Sequence, residues 1–433
     1  MKNYIQKILI LLFLFILLKP DVFADDLPKT ERKKNKALEQ LKEFHKRGGL
    51  PNFYHKIDTE RKVNVAYLGG SITEAKQGWR TLTYNWLRIN YPETIFLETA
   101  AAIGGTGSNL GVFRVEHDVL QYKPDLLFVE FAVNDKSQKP DDVLRTMEGI
   151  IRKTWQANST TDICFIYTMV DDQCKEFLRG ELSSTILAME KLADYYDIPS
   201  ILAGKKVVQL REEGKLVFTA DPSENDNIIV FTKDHTHPLS ESGHPIYASV
   251  IVKYLEEMEA FGKVGGHKLT NPFVNDNWEN AQSYSVVDAS KTGDWELLKN
   301  GDELADKFEK FSPQIYEGKT GAKLSFKFKG TAVGLYDVIG PGSGKIKVTI
   351  DGKEREIQRF DAYCSYYRIN NVILEKQLED TVHTVEIEVV DDRFDKEKIL
   401  SKRNPDVFKK DKLKYKNYDY FLGNILVVGE GLR

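Results

Sequence analysis

Apolar residues fall in short unbroken runs over the first 260 positions and in alternation afterwards. The runs at 63–68, 94–100, 125–133, 162–170 and 198–203 are too short for helices and lack a polar face. They predict buried strands of a parallel sheet. Between them, 78–90, 110–120, 141–155, 180–196 and 240–258 carry apolar residues at helical spacing, as Leu182, Ile186, Met189 and Ala193 illustrate. Strands alternating with helices predict an α/β domain whose parallel sheet is covered on both faces. Residues 30–46 read as a charged helix with Leu38, Leu41 and Phe44 on one side; 48–57 reads as a connecting loop, and 211–233 as polar, irregular chain.

The pattern changes after a glycine-rich linker at 261–272. Residues 323–328, 345–350 and 384–390 alternate apolar and polar, with turn residues at 340–344 and at Asp351-Gly352. This predicts a smaller antiparallel all-β domain, a jelly-roll-like sandwich, closed by a last strand at 421–428. The charged stretch 391–416 reads as a solvated insertion. The expected division is 1–24 signal peptide, 25–262 α/β domain, 263–277 linker and 278–433 β domain.

Lys2 and Lys7 precede a continuous apolar run at 8–18, and Val22-Phe23-Ala24 offers small residues at a cleavage point. That is the build of a secretory signal peptide, too short to span a bilayer comfortably. The expected product is exported, secreted or periplasmic, without stable membrane insertion after cleavage. Of 433 residues, 41% are hydrophobic and 29% charged, and cleavage would move the net charge from -4 to -6. A mildly acidic chain has no electrostatic reason to seek nucleic acid. Three cysteines make no disulfide framework; a Cys164–Cys174 bridge is one option, and an inert core Cys164 the other.

Gly69-Gly70-Ser71-Ile72-Thr73 lies between the first buried run and a helix. Such a turn exposes a hydroxyl at the carboxyl end of a strand and aims backbone N–H groups at the same point, though a tight turn alone would look the same. A serine needs a base to attack a carbonyl. His237 is the candidate, with Asp234 three residues before it to fix the imidazole tautomer. A metal site from Asp234, His235, His237 and His244 is the weaker alternative, and no cofactor is called for. A developing oxyanion needs donors: the Ser71 N–H, a glycine N–H of the loop at 101–108, and the side chain of Asn134 after the next strand. Serine, glycine, asparagine and Asp/His all fall just past strands, where α/β sheets bind ligands.

In order and spacing these blocks resemble the SGNH, or GDSL, hydrolase family over residues 63–255. The resemblance implies a three-layer flavodoxin-like domain and metal-free ester hydrolysis. It also implies Ser71 as nucleophile, His237 as base then acid, Asp234 as its orienting group, and Ser71, Gly105 and Asn134 as the oxyanion hole. Departures are visible: the first block reads Gly-Gly-Ser-Ile, and Ala101 or Ala102 stands where an asparagine usually precedes the glycine loop. Gly104 and Gly105 both remain open as donors, with Gly105 preferred.

Within that family, export sets aside most coenzyme A thioesters, and the appended β domain loosely resembles modules beside secreted carbohydrate esterases. The expected function is removal of O-acetyl groups from an acetylated glycan. A short-chain or lipid esterase is the runner-up, and a non-catalytic glycan-binding protein the rival from another class. Tyr363, Tyr366 and Tyr367 read either as sugar-stacking rings or, preferentially, as core and cross-strand residues. The oligomeric state is not legible.

Overall fold

In a computed structural model, which describes residues 35–220 and 228–432, the apolar runs become a six-stranded sheet. The expected signal peptide lies outside the described residues. The strands are β1 (Phe44–His45), β2 (Lys62–Gly69), β3 (Ile95–Ala102), β4 (Leu126–Glu130), β5 (Asp162–Ile166) and β6 (Ser200–Ile201), in the order β1-β6-β5-β4-β2-β3. Strands β2 to β6 run parallel, and β1 pairs antiparallel with β6. Every residue of β4 and β5 is buried, which is why their sequences show no alternation.

Helices cover both faces. Ser108–Asp118, Pro140–Ala157 and Ser184–Tyr195 pack along one side; Trp79–Asn90 and Gly243–Met258 pack together on the other. The first half is therefore an α/β three-layer structure, as expected.

Several local expectations are corrected. Among the described residues of 30–46, the helix is only Lys36–Gln40, and Phe44-His45 leave it to extend the sheet beside β6. The Phe44 ring stacks on Tyr254 at 4.3 Å, so edge pairing and ring packing outweigh a helical continuation. The stretch 48–57 is not a loop. Pro51 opens the helix Pro51–Thr59, which buries Phe53, Tyr54 and Ile57. Proline suits a first helical position because its missing N–H has no partner there anyway. Part of the irregular 211–233 forms two short parallel strands, β7 (Leu216–Val217) and β8 (Ile229–Val230). No helix among the described residues is long and apolar enough to cross a membrane. All three cysteines are buried and unpaired.

The second domain is all antiparallel. Its nine strands are β9 (Ala281–Ser285), β10 (Ser290–Thr292), β11 (Trp295–Leu297), β12 (Tyr316–Gly318), β13 (Lys323–Ile339), β14 (Lys345–Ile350), β15 (Lys353–Gln358), β16 (Arg368–Val390) and β17 (Tyr420–Leu432). The long strands β13 and β16 are irregular near Gly330 and Val333. Alternation along β13 sends Val333 and Leu335 into the domain's own core, with Ile346, Val348, Val385 and Ile387. Ala332, Tyr336 and Val338 point the other way and join the core of the first domain, together with Trp278, Phe308, Phe421 and Leu426. Burial on both faces explains why 332–339 carries no readable strand period.

The joint is tight. The backbone of Trp278 approaches the Pro140–Ala157 helix so closely that a Cβ at Gly149 would lie 2.7 Å from it, and the Trp278 ring tilts against Phe113 at 5.4 Å. The linker is not loose either: His267 Nε2 lies 2.8 Å from Asp162 Oδ1, and its ring stacks on Trp155. The charged stretch 391–416 folds into short helices over a small core of Ile339, Phe360, Cys364, Leu400 and Tyr415. Lys396, at the start of the first of these helices, is buried and donates to the Pro341 carbonyl at 2.8 Å; burial lowers its pKa to about 8.

Candidate active site

Sheet register brings the chemistry to one edge. Gly69 at the end of β2 pairs with Ala102 at the end of β3 and with Glu130 at the end of β4. The turns that follow these three residues carry Ser71, Gly104-Gly105 and Asn134, so all three open at the carboxyl edge of the sheet. Ser71 begins a single helical turn, Ser71–Glu74, and the longer helix starts only at Trp79.

Ser71 Oγ lies 2.8 Å from His237 Nε2, and His237 Nδ1 lies 2.7 Å from Asp234 Oδ2. Asp234 also accepts the backbone N–H of His237 at 2.8 Å and of Thr236 at 3.1 Å, and the Thr232 hydroxyl at 3.0 Å. Burial pushes the Asp234 carboxyl up, but these donors outweigh it and hold the pKa well below the usual carboxylate range. An ionised Asp234 accepts Nδ1–H, which leaves Nε2 free to accept the serine proton. The residues proposed for a metal do not converge. His235, at φ +64°, turns its Nδ1 to Asp171 at 2.8 Å, and His244 is buried with Nδ1 accepting the Trp79 N–H.

The glycines of the serine turn are explained by what a side chain would strike. A Cβ at Gly69 would sit 2.6 Å from Thr73 Oγ1, and one at Gly70 would sit 2.0 Å from Asn134 Oδ1. Thr73 Oγ1 donates to the buried Glu130 carboxylate at 2.8 Å, and Thr168 donates to its other oxygen at 2.7 Å. This pins the serine turn to the end of β4. The Asn134 amide is therefore packed on the residue before Ser71. Its neighbour Asp135 is buried and accepts the Ser108 N–H at 3.0 Å and Gln138 Nε2 at 2.6 Å. Burial raises the Asp135 carboxyl to about 7.

Gly105 has φ +74°, a conformation that side-chain-bearing residues rarely adopt. The two glycines differ in their neighbours: a Cβ at Gly104 would lie 2.7 Å from Glu74 Oε2, whereas a Cβ at Gly105 would find only Arg368 Nη1, at 3.9 Å. Of the two glycines, Gly104 is the one packed against a carboxylate.

A cavity of about 730 Å³ surrounds these groups. Ser71, Glu74, Asn134 and His237 form its floor; Phe308, Asp361, Tyr363, Tyr366, Arg368 and Asn370 of the β domain form a wall. Tyr363 and Tyr366 are exposed and lie in the loop before β16, not in a strand, so the core or cross-strand reading fails for them. Tyr367 fits that reading better: its hydroxyl accepts the Gly342 N–H and its ring meets Phe421 edge-on. Arg368 forms an ion pair with Asp361. Sequence reasoning missed Glu74 and this wall. Glu74 carries a signal in hindsight, since it stands one helical turn beyond Ser71. The wall carries none, because it is joined to the site only by tertiary packing.

No protein-family model matches the chain, and no curated protein does. Among solved structures, a two-domain esterase (CEX) active on acetylated mannans, co-crystallised with mannopentaose, is similar with a TM-score of 0.70 at 18% identity. The match covers 92% of this chain and 98% of that one. A second structure of that esterase gives 0.69 at 18% identity, over 89% and 96% of the two chains. The likeness is one of fold, and it spans both domains.

Proposed function

We propose that the chain is an exported serine esterase of SGNH type that removes O-acetyl groups from a polysaccharide or oligosaccharide. The observation that carries this reading is the continuous relay from Ser71 Oγ to His237 to Asp234, at 2.8 and 2.7 Å. In this reading residues 1–24 are a cleaved signal, 25–262 carry the chemistry, 263–277 connect, and 278–433 complete the substrate cleft.

Ser71 Oγ attacks the acetyl carbonyl as His237 Nε2 takes its proton. The Ser71 and Gly105 N–H groups and the Asn134 amide stabilise the resulting oxyanion. His237 returns the proton to the departing sugar oxygen, leaving an acetyl-Ser71 ester. Water activated by the same imidazole then releases acetate. Asp234 stays ionised throughout and stabilises the imidazolium.

The substrate class rests on the wall. Exposed Tyr363 and Tyr366 offer ring faces, and Asp361, Arg368 and Asn370 offer hydrogen-bonding groups. Apolar faces beside fixed polar groups suit a sugar better than an acyl chain. The same two-domain build in an esterase active on acetylated mannans makes acetylated mannan the first substrate to try, followed by xylan and pectin. Acetate release by the wild type and none by Ser71→Ala is the expected result. Hydrolysis of short p-nitrophenyl esters with no release from any glycan would favour the general short-chain esterase.

A further inference from the structure

The Gly105 N–H is carried by a four-residue turn, 103–106. It is closed by the Thr106 N–H to Ile103 O at 3.4 Å and by the buried Thr106 hydroxyl to the same oxygen at 2.8 Å, and its two central residues are both glycine. A positive φ at the third position matches a type II turn. Two glycines tolerate either orientation of the peptide between them, so that peptide, and with it the Gly105 N–H, turns over at little steric cost.

The stem of the turn is fixed. Ile103 N–H donates to Gly69 O at 3.1 Å, and the buried Arg114 donates to Ala101 O at 2.5 Å and to Gly69 O at 3.3 Å. These bonds tie the end of β3 to the strand before Ser71, at the place where Ala101 and Ala102 offer no side-chain donor or acceptor. None of these stem bonds reaches the tip, Gly104-Gly105.

Glu74 reaches the tip. A Cβ on Gly104 would lie 2.7 Å from Glu74 Oε2 and 3.5 Å from the Ser71 Cβ. Glu74 is anchored on the nucleophile's own turn, where its N–H donates to Gly70 O at 2.9 Å. Burial raises the Glu74 pKa, while the Gly104 N–H and the charges of Arg114, Arg80 and His237 pull it back. A carboxylate there attracts the Gly104 N–H and repels any carbonyl oxygen brought to that side.

We propose that Glu74 is a positioning residue: it locks the Gly104-Gly105 turn to the serine turn, so that the Gly105 N–H stays aimed at the oxyanion. This rests on the esterase reading above. Glu74 lines the cavity floor, and the role assigned to it is placement, with no proton transferred. It fixes the distance between two oxyanion donors that come from different strands.

The test compares Glu74→Ala, Glu74→Gln and Gly104→Ala by steady-state hydrolysis of p-nitrophenyl acetate, with Ser71→Ala as the blank. Losing a whole oxyanion donor costs about 10²–10³ in kcat. Loosening one is expected to lower kcat about 10- to 100-fold in Glu74→Ala, with KM within about threefold and melting within a few degrees of wild type. Glu74→Gln keeps an acceptor for the Gly104 N–H and is expected to restore kcat to within about threefold. Gly104→Ala, which pushes the carboxylate off the tip, is expected to resemble Glu74→Ala. Affinity for an alkylboronate that mimics the tetrahedral anion should fall in step with kcat. Wild-type kcat in Glu74→Ala overturns the proposal. So does Glu74→Gln behaving like Glu74→Ala with a displaced acid limb of the pH–rate profile, which would make charge rather than positioning the cause. If Ser71→Ala itself retains full activity, the esterase reading fails instead.

Discussion

Replacing Gly70 by alanine isolates the contribution of Asn134 without touching it. The Gly70 backbone, at φ -97° and ψ -154°, accommodates an alanine, so the backbone does not resist the change. The new Cβ would lie 2.0 Å from Asn134 Oδ1, 2.6 Å from Cγ and 2.8 Å from Nδ2. Ordinary carbon contacts are about 3.5 Å, so the amide must withdraw by roughly 1.5 Å. An oxyanion donor works at about 2.7–3.1 Å, and a retreat of that size takes it out of reach. Loss of one donor corresponds to about 10²–10³ in kcat, or about 2.7–4 kcal/mol. The assay is kcat and KM on p-nitrophenyl acetate for Gly70→Ala, Asn134→Ala and the double variant. Each single change should lower kcat about 10²–10³-fold with little change in KM. The double should be no more than about threefold worse than Asn134→Ala, because removing the amide makes room for the methyl. Losses that multiply in the double, or a Gly70→Ala enzyme within tenfold of wild type, would refute the placement of Asn134 beside the oxyanion.

Other consequences are equally concrete. Asp234→Asn should lower kcat by about 10³–10⁴ with KM little changed, since an amide stabilises the wrong imidazole tautomer; a loss under tenfold would contradict its role. Tyr363→Ala and Tyr366→Ala should raise KM for acetylated oligosaccharides about 3- to 10-fold and leave p-nitrophenyl acetate untouched, as a single stacking contact is worth about 0.5–1.5 kcal/mol; equal effects on both substrates would remove them from sugar recognition. Asp135 holds its proton more tightly folded than unfolded, at about 7 against about 3.9. Its contribution therefore favours the fold at low pH and is lost as pH rises from about 4 to 7. Asp135→Asn should flatten urea midpoints across that window, and an unchanged slope would sink the assignment.

Removing the β domain is expected to cost the fold, not just the polymer activity. Trp278, Phe308, Tyr336 and Phe421 are buried in the core shared by the two halves. A chain ending at 277 lacks all four, and the first-domain side chains they cover, such as Phe113 against Trp278, each lose about 1.5–3 kcal/mol on exposure, a serious loss against the stability of a typical domain. A chain ending at 277 should be insoluble or melt far below the full protein; a soluble, active fragment would refute the shared core.

What the sequence disclosed follows from where the constraints are local. A buried parallel strand must be apolar along its length, and Gly-Gly-Ser must be small because Thr73 and Asn134 occupy the space above it. Those demands are written at the positions themselves, so the sheet, the serine turn and the Asp234-x-x-His237 pair were readable. The helix at Pro51–Thr59 was missed because it buries adjacent aromatics without a clean period. The full length of β13 was missed because opposite faces enter two different cores. The Tyr363–Arg368 wall was invisible because nothing in residues 361–370 encodes which surface they will meet.

The central claim is that Ser71 is a nucleophile activated by His237. Reaction with a fluorophosphonate, followed by peptide mass spectrometry, tests it most directly. The account requires one stoichiometric adduct on the peptide containing Ser71, lost in Ser71→Ala and slowed at least about 10²-fold in His237→Ala. No adduct, or one on another residue that survives Ser71→Ala, would contradict it.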